Sequence, residues 1–138
     1  MNGDRSTGGT GAEGRAAQAT SAAQADLMYA KRLIAGGDVR RAIKLLADSV
    51  QTTPSVEALI LLARLELDVP TLNSRALEHL RHASELEPRC TEAWLMLANH
   101  WGMRGHPDKQ RRCLEKILGY DPGNRDARDA IELIGPSR

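Results

Sequence analysis

His79 and His82 stand three residues apart, and Cys113 follows His79 by 34 residues. On a helix, that spacing puts both imidazoles on one side. A 34-residue repeat then sets Cys113 in the register of His79, so a shared metal site is one chemistry to weigh. No carboxylate or fourth ligand is placed by spacing, and two half-exposed histidines on an outer helix layer is the favoured account. His100 and His106 flank a turn with Trp101 between them. A base there would need a substrate proton within reach; closing the turn or facing solvent asks for less.

Lys109, Arg111, Arg112 and Lys116 form a basic cluster. Asp108, Glu115 and Asp121 interleave it, so a solvated helix face fits better than a phosphate or nucleic-acid contact. The whole chain repeats that balance, with 19 Lys plus Arg against 18 Asp plus Glu in 138 residues. A nucleic-acid or anionic-membrane binder would carry a basic excess. No Ser or Cys nucleophile has a placed base, and no Gly-rich phosphate loop follows a strand. The sequence therefore predicts no enzyme, no cofactor and no resident metal. Two cysteines are too few for a disulfide framework, no apolar run is long enough to span a bilayer, and the N-terminus lacks a signal-peptide core. A cytoplasmic protein without membrane insertion is expected.

The elements that would position these residues are helices. Ala and Leu dominate the apolar set, Phe is absent, and the aromatics are two Trp and two Tyr. Residues 1–22 contain no Leu, Ile, Val, Phe, Trp or Tyr. Their Gly-rich beginning is expected to be disordered, with the Ala-rich Arg15–Gln24 stretch able to extend the next helix backwards. From Ala23 onward the pattern repeats. Pro54, Pro88 and Pro122 are each 34 residues apart. Ahead of them lie Arg41–Leu46, Arg75–Leu80 and Lys109–Leu114, with apolar residues at helical three-and-four spacing. Gly36-Gly37-Asp38, Pro70–Ser74 and Gly105–Asp108 split each unit into two helices, and each proline ends the second. After Pro122, residues 125–134 carry an apolar face of Ala127, Ala130, Ile131 and Ile134, stopped by Gly135-Pro136.

Period and residues together resemble the tetratricopeptide repeat, whose pattern runs W-x2-L-G-x2-Y, A-x3-F, then P. Asp26, Tyr29, Ala30, Leu33, Ala42, Leu46 and Pro54 make the first copy. Leu59, Leu62, Ala63, Glu66, Ala76, Leu80 and Pro88 make the second; Trp94, Leu97, Ala98, Trp101, Gln110, Leu114 and Pro122 make the third. The resemblance covers about 100 of the 138 residues. It implies an all-α, right-handed superhelical solenoid of three helix-turn-helix pairs (23–56, 57–90 and 91–124) plus a C-terminal capping helix over 125–134 and a short tail, 135–138. Departures include Asp26, which replaces an aromatic in a first repeat with no preceding neighbour, and two positions further on. Glu66 replaces a large apolar or aromatic residue, and Gln110 replaces a small one, so the third pair should pack more loosely.

The resemblance also implies a concave groove lined by the first helix of each pair. Its lining would be Gln24, Leu27, Met28, Lys31 and Ile34; then Glu57, Ile60, Leu61, Arg64 and Leu67; then Glu92, Leu95, Met96, Asn99 and Met103. Three of the four methionines fall on this set, and flexible thioethers suit a groove that accepts an apolar helix or extended peptide. Lys31 and Arg64, at equivalent positions, could grip a carboxylate or backbone carbonyls. The alternative is that several of these Leu and Ile residues pack between helices. The family's carboxylate clamp for acidic chaperone tails uses Lys and Asn on the first helix, Asn on the third, and Lys and Arg on the fifth. The matching positions read Leu27, Lys31, Leu61, Glu92 and Met96, so tail binding of that type is not expected. The expectation is a protein-interaction scaffold for an apolar or amphipathic segment of a protein or peptide partner, in the manner of an assembly factor or chaperone, with a bacterial cast to the composition. The second reading is a homo-oligomer whose groove or open end is filled by another copy.

Overall fold

The computed structural model describes residues 3–136. Residues 1–2 and 137–138, the extremes of the two expected tails, lie outside the described residues. Seven α-helices pack in neighbouring pairs, and no strand occurs among the described residues. They are α1 (Gly3–Ala35), α2 (Val39–Thr52), α3 (Val56–Leu67), α4 (Asn73–Leu86), α5 (Thr91–Met103), α6 (Pro107–Tyr120) and α7 (Arg125–Ile134), with a 3-10 turn at Pro70–Leu72 before α4. No helix among the described residues is long and apolar enough to cross a membrane. The chain divides into two compact units, Met1–Ala58 and Leu59–Arg138, with the division inside α3.

The 34-residue period reappears as structure. In α2 the buried positions are Ala42, Leu46, Ser49 and Val50; in α4 they are Ala76, Leu80, Ala83 and Ser84, each 34 residues on. In α6, Leu114 and Ile117 hold the matching places. The helix ends repeat as well. Thr53, Glu87 and Asp121 each immediately precede a proline, and their N–H groups donate to Ser49, Ala83 and Ile117 at 2.9, 2.9 and 2.8 Å. Proline then forbids a further helical residue before it and offers no N–H to continue the ladder.

Within the first and third pairs the turn is closed by glycine in the left-handed region. Gly37 has φ +85° and Gly105 φ +75°. Each lets the following N–H reach back five residues, Asp38 to Leu33 at 2.8 Å and His106 to Trp101 at 2.9 Å, which caps the outgoing carbonyls. The second pair has no such glycine and uses the 3-10 turn, with Pro70 at its first position. Side-chain caps start the next helices. Asp38 accepts from the Arg41 N–H, Ser55 from Ala58 and Asn124 from Ala127, at 3.3, 3.2 and 3.0 Å.

In the first unit, α1 packs on α2, burying Leu27 and Ala30 against Ala42, Leu46 and Val50. The boundary expected near residue 22 is not an element boundary, because α1 runs through it to Gly3. Once packing has nucleated the helix, each residue of the Ala-rich stretch adds a hydrogen bond without a new nucleation cost; the glycines before it have no such account. From residue 11 to residue 18 its side chains are exposed.

In the second unit, α5 packs against both α4 and α6, and α7 covers α6. Leu59, Leu62, Leu80, Leu114 and Ile117 are its largest fully buried apolar side chains. The expected looseness at Gln110 is absent. A Cβ placed on Gly102 would meet the Gln110 side chain at 2.7 to 3.1 Å, so the missing side chain on α5 makes room for the long one on α6. Large and small have exchanged helices, and close packing survives.

Candidate functional site: a methionine-lined cleft in the second unit

On α1 and α3 the exposed stripe is one position narrower than the lining expected from the resemblance, and on α5 the whole expected lining is at least partly exposed. Met28 and Lys31 on α1 are exposed, Ile34 is half-buried, and Leu27 belongs to the core. On α3, Arg64 is exposed, Leu61 and Leu67 are half-buried, and Ile60 is buried. On α5, Leu95 and Met96 are half-buried, while Asn99 is exposed and Met103 is 89% exposed. Leu27 and Ile60 therefore offer nothing to a ligand. They stand one residue before the outward positions, a rotation of about 100° towards the core.

Lys31 and Arg64 are not unpaired cations. Lys31 donates to Glu57 at 2.9 Å, and the Arg64 guanidinium pairs with Glu92. Each cation meets a glutamate that opens the next first helix. With all four side chains more than half exposed, each pair contributes at most about 1 kcal/mol. Both pairs can rearrange for a ligand, but neither cation waits unneutralised for one.

Beyond Arg64, a cleft of about 310 Å³ opens in the second unit. Leu67, Met96 and Met103 give it an apolar wall; Asp68, Asn73, Asn99, His100 and Arg104 give it polar groups. Four of these residues, Leu67, Met96, Asn99 and Met103, were expected from the sequence as ligand-facing, and the fold brings them together. Asp68, Asn73, His100 and Arg104 were not. With its amide oriented to satisfy its neighbours, Asn73 donates to the Val69 and Leu67 carbonyls at 3.1 and 3.2 Å and accepts from Arg104 at 3.0 Å. One amide thus closes the carboxyl end of α3 and holds the guanidinium of Arg104 at the cleft. Arg104 makes no ion pair among the described residues, and its rigid fork suits a carboxylate. The only sequence signal for it was a basic residue at the end of α5.

His100 is buried, not solvent-facing. Its ring meets the Trp101 indole edge-on at 5.1 Å. Trp101 meets His106 in the same manner at 5.6 Å and carries the Lys109 ammonium 4.3 Å above its ring. Burial, and then the positive charges of Arg104 and His106, hold the His100 pKa below the ordinary 6.5. A histidine whose native value is lowered binds its proton more readily in the unfolded chain. Its contribution is therefore intact above 6.5 and is lost as pH falls from there towards the native value. Urea unfolding midpoints should drop between about pH 7.5 and about pH 5.5, and His100→Asn should drop less over that interval. Equal drops would assign the loss to other groups.

The trio weighed as a metal site is not assembled. No group of three His, Cys, Asp or Glu side chains among the described residues is placed to hold an ion. His79 instead points its Nδ1 at Glu66 Oε1, 2.6 Å away, and Glu66 is only 1% exposed. The residue that broke the repeat pattern thus has a half-buried partner on the next helix. Cys113 is buried with Cys90 as a free thiol, and burial pushes the Cys113 thiol above its ordinary range. Both thiols should react with a disulfide reagent at neutral pH only as fast as the chain opens. Rapid labelling of either in native buffer would contradict that.

The first unit has a shallower cleft of about 350 Å³ between α1 and α2, where Tyr29, Leu33 and Leu45 meet Asp26, Arg41, Lys44 and Asp48. Tyr29 Oη accepts from Arg41 at 3.3 Å, and the charges on this wall are mixed and solvated. No protein-family model matches the chain, and no curated protein matches it.

Proposed function

We propose that this chain is a tetratricopeptide-type interaction module that holds an apolar or amphipathic segment of a partner protein. The finer architecture, three repeats in a right-handed superhelical solenoid with α7 as cap, belongs to the same proposal. It is supported by the period-34 registers of core residues, helix ends and prolines. The functional half rests on one observation. Met103 is 89% exposed beside half-buried Met96 and Leu67, in a cleft whose arginine has no anionic partner among the described residues. A solvated surface has no need of adjacent methionines, whereas a pocket that must adapt to a side chain does.

Nothing in the cleft supplies a nucleophile with a base, and His100 is held neutral against an indole. Binding is the chemistry that this geometry can perform. The test is capture of partners from a lysate by the wild-type protein beside Met103→Asp and Lys31→Glu/Arg64→Glu, read by mass spectrometry. A partner retained by wild type and lost with Met103→Asp supports the cleft as the site. Loss only with the double variant moves the site to the Lys31 and Arg64 stripes, and equal recovery by all three removes both.

A further inference from the structure

Leu133 on α7 is 89% exposed, as is Met103, and no other large apolar side chain in the described residues exceeds 61%. The two are chemically complementary in their surroundings. Met103 sits with Arg104 at a methionine-lined cleft. Leu133 ends a stripe with Asp126 and Asp129, spaced three and four residues apart on the outer face of α7, and all three are exposed. That face is an aliphatic knob with two carboxylates along one side of a helix.

We propose that a second copy of this chain docks α7 in the cleft, Leu133 against Met96 and Met103, with Asp129 on Arg104. The inference rests on reading the cleft as a docking site and names its occupant. Charge favours this helix over the alternatives. Arg104 is held forward by Asn73 and lacks a carboxylate partner of its own, and Asp129 lies one turn from Leu133 and takes part in no ion pair among the described residues. Asp68, the acidic group on the cleft wall, finds its opposite in Arg125 at the start of the same helix. The half-exposed Leu86 is less prominent, and its neighbours Glu85 and Glu87 flank it without the helical spacing that aligns Asp126, Asp129 and Leu133. Cleft and knob belong to the same unit. In a two-fold arrangement the contact is made twice and the pair closes.

Sedimentation equilibrium on the purified full chain tests this without any unknown partner. Wild type should show a concentration-dependent mass rising from 15.1 kDa towards twice that value. Arg104→Glu and Asp129→Arg should each weaken association by roughly tenfold or more, and the two combined should restore it. Leu133→Ser, at a position 89% exposed in the single chain and therefore safe for folding, should abolish it. A monomer at every concentration overturns the proposal. So does association that ignores the single charge reversals, or single effects that the double variant fails to rescue. A monomer leaves partner capture by the cleft standing, and Met103→Asp judges that separately; a dimer makes any other partner a competitor of the second copy for the cleft.

Discussion

Replacing His79 by alanine should lower the unfolding free energy by about 3–5 kcal/mol, whereas Glu66→Leu should change it by about 1 kcal/mol or less. The asymmetry follows from burial. Glu66 is 1% exposed, and its Oε1 faces His79 Nδ1 at 2.6 Å. Removing the imidazole leaves the buried Glu66 carboxyl in the core of the second unit without its hydrogen-bond partner. Removing the carboxylate strands less, because the His79 side chain keeps 22% of its surface in water. Leucine also restores the apolar character that the neighbouring helices present. Urea titration followed by far-ultraviolet circular dichroism reads both variants, and Glu66→Gln, which keeps a hydrogen bond, should fall between them. Equal costs for His79→Ala and Glu66→Leu would mean that the pair contributes packing alone.

Leu46→Ala, Leu80→Ala and Leu114→Ala should each cost about 2–5 kcal/mol, while Leu133→Ala should stay within about 0.5 kcal/mol. The first three occupy one register of the 34-residue period and are 0, 0 and 1% exposed; Leu133 is 89% exposed. Each deletion removes the same three carbons from an interior position four residues after Ala42, Ala76 or Gln110. Amide exchange should localise the first loss to α1 and α2, and the other two to the helices of the second unit. A near-neutral result at any of the three would break the equivalence on which the repeat reading depends.

Turns and helix ends were legible in the sequence because glycine and proline act locally. Gly36-Gly37-Asp38 falls between α1 and α2, Pro70–Ser74 holds the 3-10 turn and the start of α4, and each repeat proline lies two residues beyond a helix. The apolar register of α2, α4 and α6 was equally readable, since helical spacing alone decides which residues face inwards. The beginning of α1 was not. Composition argued for disorder up to the Ala-rich stretch, and the five glycines among residues 3–14 each weigh against a helix, so no local rule leads from the sequence to α1 as it stands there.

Side-chain partnerships between helices were the least visible. Lys31, Glu57, Arg64 and Glu92 were all placed on ligand-facing helices, yet their pairing required knowing which turn of one helix faces which turn of the next. The same holds for Glu66 with His79 and for Asn73 with Arg104. In each case the sequence shows two polar residues with a separation that no local rule links. Leu27 and Ile60 show the related error of one helical step, which turns a groove residue into a core residue.

Gly102 and Gln110 have a consequence for anyone wishing to graft or recombine these helix pairs. The packing condition between α5 and α6 is set on the sum of two side chains, not on either position by itself. A chimera that imports α6 beside an α5 with a side chain at this position would make the end of the glutamine swing aside into solvent, whereas one that imports α5 alone would lose the cover that the glutamine gives this turn of the helix. The two residues are best moved together, which favours cutting before Thr91 or after Tyr120 over cutting in the turn between.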